Sequence, residues 1–284
     1  MKKHLSALLI LSAVFLTAEL FAGCKTALKS ENVEVFCGTA VKPVMDELVK
    51  RFESETDNRV LVRYAASGVA LSQMELSRRG DVFVAGSPDF MDKAVQKHLV
   101  RPGVEQTLAY LVPALVVPKY NPKKILRLSD LLRPDVTVGL ANPKTVCVGT
   151  YAVEILEANR LLSAVKRRVK VYAESCSAAA AMVAMKKVDV VIGWREFGCL
   201  APGAVEVIPL QPEEIPRIAY IPAAPTVNAK RPADAEAFVR FLASDRSRAV
   251  FEKHGYITRR DVALRLAPKA RVGGEYRIPA LMRE

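Results

Sequence analysis

Short runs of β-branched and aromatic residues alternate with helical stretches along nearly the whole chain, and this alternation limits the fold more than any other feature. "VEVFCG" precedes "KPVMDELVKRFESE", "VLVRYAAS" precedes "GVALSQMELSRRG", and "DVFVAGS" precedes "PDFMDKAVQKHL". The pattern resumes with "VTVGLANP", "GTYAVEILEANRLLSAVKRR", "VKVYAES", "SAAAAMVAMKK", "VDVVIGW", "VEVIPL" and "IAYIPAAP", and a last helix runs through "ADAEAFVRFLASDRSRAVFEKHG". Such alternation implies an α/β fold with mainly parallel sheets, in which ligands bind beyond the carboxyl ends of the strands. The strand-to-helix turns are therefore where function is sought.

The N-terminus bears on compartment. Lys2, Lys3 and His4 precede an apolar run from Leu5 to Leu16, too short to cross a bilayer and suited to a signal h-region. "LFAGC" places small residues before Cys24 and resembles a lipobox, in which residues 1–23 are a signal peptide and Cys24 becomes a lipid-modified N-terminus. Ordinary secretion, with cleavage near Ala22, is the alternative. Removing Lys2, Lys3 and Glu19 lowers the net charge only from +12 to +11. The basic residues are scattered, without a stripe interleaved with aromatics, so a nucleic-acid footprint is not expected; mild steering of small anions is. Five cysteines are too few for a disulfide scaffold.

Four turns share one character: "CGTAVKP" with Thr39 and Ala40, "AASG" with Ser67, "VCVGT" with Cys147 and Val148, and "ESCS" with Cys176. Each offers free backbone N–H groups at a helix start, and three add hydroxyls, as an anion site requires. Ordinary helix capping explains any one of them equally well. The mature chain has only His98 and His254, no G-x-G-x-x-G, P-loop or H-E-x-x-H, and no Ser–His–Asp arrangement; no catalytic machinery is visible.

Over residues 33–258 the chain resembles the molybdate-binding proteins of ABC importers, a type II periplasmic-binding-protein family. The likeness is carried by "VFCGTAVKPVMDELVKRFE", "ASGVALSQMELSRRGDVFVAGSPDFMDKAV", "LANPKTVCVGTYAVEIL" and "FVRFLASDRSRAVFEKHGY" in that order. The resemblance implies an α/β, two-lobed fold with a hinge between doubly wound lobes: residues 24–112 and 218–258 in lobe 1, 113–217 in lobe 2, and 259–284 as a C-terminal extension. It implies a non-enzyme that carries molybdate or tungstate to an ABC permease, works as a monomer without a cofactor, and is held to the membrane through the lipid on Cys24. The family grips its oxyanion with neutral donors. By position these fall at Thr39, Ala40 and Ser67 in lobe 1 and at the Val148 and Cys176 N–H groups in lobe 2. Trp194 stands where the family has a tyrosine. Its indole N–H is a donor only, which suits a fully ionised oxyanion. Ala40 lacks the family's hydroxyl, which Thr39 can replace. Arg195 either adds charge near the cleft or points to solvent. The same positions imply neighbouring turns at Cys147 and Cys176, and in an exported protein a disulfide between them is expected, with Cys37 and Cys199 free. Two rivals stay open: a receptor for sulfate, phosphate or another oxyanion, and a thiol-based metal or redox lipoprotein using Cys37, Cys147 and Cys176.

Overall fold

The computed structural model describes residues 32–282. The signal segment and Cys24 lie outside the described residues. Among those described, no helix is long and apolar enough to cross a membrane.

Two sheets form the frame. The first holds β1 (Val33–Gly38), β2 (Val60–Ala65), β3 (Val82–Val84), β4 (Gln106–Leu111), β10 (Arg217–Pro225) and β11 (Arg271–Val272). Its order is β11-β10-β3-β1-β2, with β4 also paired to β10. The second holds β5 (Pro113–Pro118), β6 (Val138–Ala141), β7 (Val169–Ala173), β8 (Val190–Trp194) and β9 (Val205–Pro209), in the order β7-β6-β8-β5-β9. Helices cover both, giving a mixed α/β molecule built on two sheets.

Burial follows strand position. All six residues of central β1 are buried, as for a strand covered on both faces, while edge strand β2 leaves Leu61 and Arg63 exposed. The pairing is less parallel than the alternation implies. β1–β2, β1–β3, β6–β7, β6–β8 and β10–β11 are parallel, but β10 runs antiparallel to β3 and β4, and β5 antiparallel to β8 and β9. β5 and β10 are the strands on which the chain passes from one sheet to the other.

The helices that position the candidate site are α1 (Lys42–Glu55), α2 (Ser67–Ser77), α3 (Pro88–Gln96), α4 (Cys147–Ala158), α5 (Leu162–Lys166) and α6 (Cys176–Ala184). A short α7 (Phe197–Leu200) comes after β8, and α8 (Pro232–Leu242) and α9 (Asp245–Lys253) complete the first lobe's core through Phe238, Leu242 and Phe251. α1 accepts Pro43 in its first turn, where no intrahelical N–H bond is lost, and buries Val44, Met45, Leu48 and Phe52 along one face. The C-terminal residues are more than a peripheral extension. α10 (Arg260–Leu266) and the residues after it bury Ala263, Ala267, Ala270 and Met282 in the second lobe's core, while β11 joins the first sheet because the Pro216 and Ile218 carbonyls accept the Arg271 and Gly273 N–H groups.

Candidate functional site

The turns singled out in the sequence converge where the lobes meet. β1 ends at Gly38 and passes through a 3₁₀ turn, Thr39–Val41, into α1. The Thr39 hydroxyl reaches the other lobe, where it accepts the Ser177 N–H at 3.4 Å, and the Ala40 carbonyl accepts the Tyr256 hydroxyl. Ser67 opens α2, and its Oγ accepts the Gly86 N–H at 2.9 Å, joining the ends of β2 and β3. Gly68 N–H donates to the Thr145 carbonyl at 2.9 Å, a second contact between lobes.

From the second lobe, α4 starts at Cys147 and α6 at Cys176. α4 sits tightly on the end of β6: a Cβ at Gly149 would fall 2.4 Å from the Ala141 carbonyl oxygen, so only glycine permits this approach. Ser175 caps α6 by accepting the Ala178 N–H at 3.0 Å. The Cys147 sulfur seats against the first lobe, where a Cβ on Gly86 would meet it at 2.8 Å and Ser67 Oγ at 3.2 Å. Trp194 ends β8 fully buried, edge-on to Tyr151 with ring centroids 5.1 Å apart. Its Nε1 makes no geometric hydrogen bond, and its N–H lies close enough to the Cys176 sulfur to favour negative charge there. Thr39, Ala40, Ser67, Val148, Cys176 and Trp194 are all buried; Thr39 is the most open of them, at 9 %.

The disulfide expected between Cys147 and Cys176 is not formed. Both are free, with their sulfurs 3.6 Å apart, against about 2.05 Å for a bond. The Cys176 sulfur lies against the Val148 N–H at the start of α4 and the Trp194 indole N–H, and that of Cys147 lies close to Gly86. The contact with Cys147 and then burial push the Cys176 thiol well up, so it stays neutral. Burial likewise pushes up the Cys37 thiol. Among the described residues no group of three or more His, Cys, Asp or Glu is placed to hold a metal ion.

Electrostatically the cluster is bare. Arg195 is exposed and turned to solvent. Glu196, next to it, is 3 % exposed, its carboxylate oxygens have no hydrogen-bond partner, and burial pushes its pKa up to about 8. At neutral pH it is protonated and places no negative charge behind the turns. The donors here are backbone N–H groups, hydroxyls, thiols and one indole.

Two features escaped the sequence reading. The Gly86 N–H belongs to the turn "AGSP", the same strand–small residue–helix signal as the four turns chosen, and it could have been found. The second is Arg217, fully buried between Asp89 and Glu154. No local pattern announces it, because its partners lie 128 and 63 residues away.

A family model described as bacterial extracellular solute-binding protein matches residues 33–257. The molybdate-binding protein ModA of Escherichia coli is 24 % identical over 242 residues, 83 % of this chain and 93 % of that protein. Among solved structures, the Azotobacter vinelandii periplasmic molybdate-binding protein superposes with a TM-score of 0.69 at 19 % identity, covering 81 % of this chain and 100 % of its own. The sulfate-binding protein SubI of Mycobacterium tuberculosis superposes with a TM-score of 0.72 at 17 % identity, covering 85 % and 93 %. At these identities the superpositions show the fold.

Proposed function

The chain belongs to the bacterial extracellular solute-binding proteins, and from that premise we propose that it captures a tetrahedral oxyanion, molybdate or tungstate, between its lobes and delivers it to an ABC permease. One observation carries the reading: hydroxyl, N–H and thiol groups from both lobes meet at Ser67, Gly86, Cys147 and Cys176 in a buried cluster without an ionised side chain. A dianion needs donors and tolerates no nearby carboxylate. The starts of α2, α4 and α6 supply N–H groups with favourable dipoles. Ser67 and Thr39 add hydroxyl donors from the first lobe, and Val148 and Cys176 add N–H groups from the second. Trp194 adds an indole N–H with no other hydrogen-bond partner. Opening of the lobes admits the anion, and closure replaces its water shell with these donors. Cys24, as a lipidated N-terminus, would keep the receptor near its permease.

The similarity to a sulfate-binding protein keeps a second oxyanion in view. Protonated phosphate needs an acceptor carboxylate; the one carboxylate in the four turns, Glu174, is exposed and already accepts from Asn142 and Thr145. Calorimetric titration with molybdate, tungstate, sulfate and phosphate tests the reading, with Ser67→Asp as a control that opposes any anion by like charge. Binding of molybdate and tungstate, lost in the folded Ser67→Asp protein, is the expected result. Preference for sulfate would move the assignment to that anion, and a folded protein that binds none of the four would overturn it.

A further inference from the structure

The chain continues past residue 257, where the family match ends, and its last residues cross between the lobes. β11 pairs with β10 in the first lobe. Gly273 and Gly274 then turn the backbone with φ of +68° and +86°, and a Cβ on Gly273 would collide with the Tyr220 ring at 2.7 Å. This turn brings the Gly274 carbonyl onto Arg217, the first residue of β10. Arg217 Nη1 donates to that carbonyl at 2.6 Å and to Asp89 Oδ1 on α3 at 2.8 Å, and Nε donates to Glu154 Oε2 on α4 at 2.6 Å. Its guanidinium also lies 3.9 Å from the Tyr151 ring centroid. Arg271 Nη2 takes the other Glu154 oxygen at 3.0 Å. One turn further along α4, Glu157 accepts the Tyr276 hydroxyl at 2.7 Å, and on α5 Lys166 donates to the Leu281 carbonyl.

Arg217, at the start of the crossing strand β10, and Arg271 on β11 thus hold one carboxylate of the second lobe, and Arg217 ties it to Asp89 of the first. Glu154 lies six residues after Val148 on the same rigid helix, about 9 Å along its axis. Fixing Glu154 fixes how far the α4 N-terminus stands from Ser67 and Gly86. α3, which begins just after the Gly86 turn, is tied to the same guanidinium through Asp89. A lobe opening that separated α4 from β10 would strip Glu154 from a buried arginine, which is costly.

We infer that Arg217 and Glu154, buttressed by the C-terminal segment around Arg271–Tyr276, are positioning residues: they strap the lobes at the spacing that aligns the donors of the proposed anion site, and so set how fast a bound anion leaves. The effect on anion release rests on the oxyanion reading; the effect on lobe spacing does not.

The test uses the full chain with spin labels at the exposed positions Lys50 in the first lobe and Lys170 in the second, read by pulsed electron resonance without anion, together with molybdate release by stopped flow. The unaltered protein should give one narrow distance distribution. Glu154→Gln and Arg217→Lys, which keep size or charge but lose the charged Nε–carboxylate contact, should widen it toward longer distances and speed release at least tenfold. Tyr276→Phe, which removes only the half-buried hydroxyl's bond to Glu157 and keeps the ring, should do the same more weakly. Folded Glu154→Gln and Tyr276→Phe proteins with unchanged distances would overturn the strap. Widened distances in a protein that binds no oxyanion would support the strap and sink the oxyanion reading alone.

Discussion

Around Ser67 and Val148 the lobes meet through hydroxyls, thiols and backbone N–H groups; less than two turns further along α4 they meet through Arg217, Asp89 and Glu154. Both clusters are buried and both join the same helices. The first carries no ionised side chain, so an anion entering it is met by donors alone and keeps much of its charge uncompensated, which leaves it exchangeable. The second is an ionised network in which Arg217 pairs with both Asp89 and Glu154, and its opening strands a charge in the protein interior. Neutral polar groups suit a contact that must be remade at each delivery, whereas paired charges suit one that must hold.

That contrast is broken most forcefully from the charged side. Glu154→Ala removes one partner of a fully buried arginine and should cost about 3–5 kcal/mol, read as a loss of urea or thermal stability. An unaltered midpoint would mean that Arg217 is satisfied without it.

Glu196 lies nearer the neutral cluster and sharpens the comparison through pH. Burial raises its pKa to about 8, whereas the unfolded carboxyl titrates in the ordinary range. The folded state therefore holds a proton that the unfolded state releases. Its favourable contribution is complete below the unfolded pKa and falls away as pH rises to about 8. Glu196→Gln mimics the protonated form. The variant should match the parent near pH 4 and exceed it by about 2–4 kcal/mol near pH 8–9. A difference independent of pH between 4 and 9 would refute the shift.

Ser67→Ala probes the neutral cluster itself. Loss of one hydroxyl should weaken oxyanion binding by about 1–3 kcal/mol, the scale of a hydrogen bond to a charged group, and should also lower stability by about 1–3 kcal/mol, because the Gly86 N–H loses its acceptor. An affinity equal to the parent's would remove Ser67 from the site.

The smallest effect is expected at the surface. Glu47 is held by His254, Lys253 and Arg51, and the His254 and Lys253 hydrogen bonds lower its pKa to about 2. The stabilisation is present above the unfolded carboxyl's pKa and lost as pH falls toward 2. Glu47→Gln should cost under about 1 kcal/mol at pH 7, less in high salt, and nothing below pH 2. A cost as large as that at Glu154 would erase the distinction between exposed and buried pairs.

Much of the frame was legible in advance because its signals are local. "VEVFCG" and "VDVVIGW" are apolar, β-branched runs of strand length, and both form buried strands. The stretch "TLAYLVPALVVP" reads locally as one continuous apolar run; the boundary between 112 and 113, where β4 gives way to β5, came from the family resemblance and not from the local pattern. The candidate turns were visible as small residues between a strand and a helix, and the structure brings them together. The state of Cys147 and Cys176 was not visible: adjacency comes from the fold, but bonding depends on where each helix start holds its sulfur. Arg217 was unreadable for a related reason, since its partners gather only once both lobes are folded.

The central claim is that a tetrahedral dianion sits between Ser67 and the starts of α4 and α6. Anomalous diffraction from crystals grown with tungstate tests it most directly. The account predicts one strong peak within hydrogen-bond reach of Ser67 Oγ and of the Val148 and Cys176 N–H groups, with the Arg217 network unaltered. A peak seated on Arg217 or another charged group, with none between the turns, would contradict it.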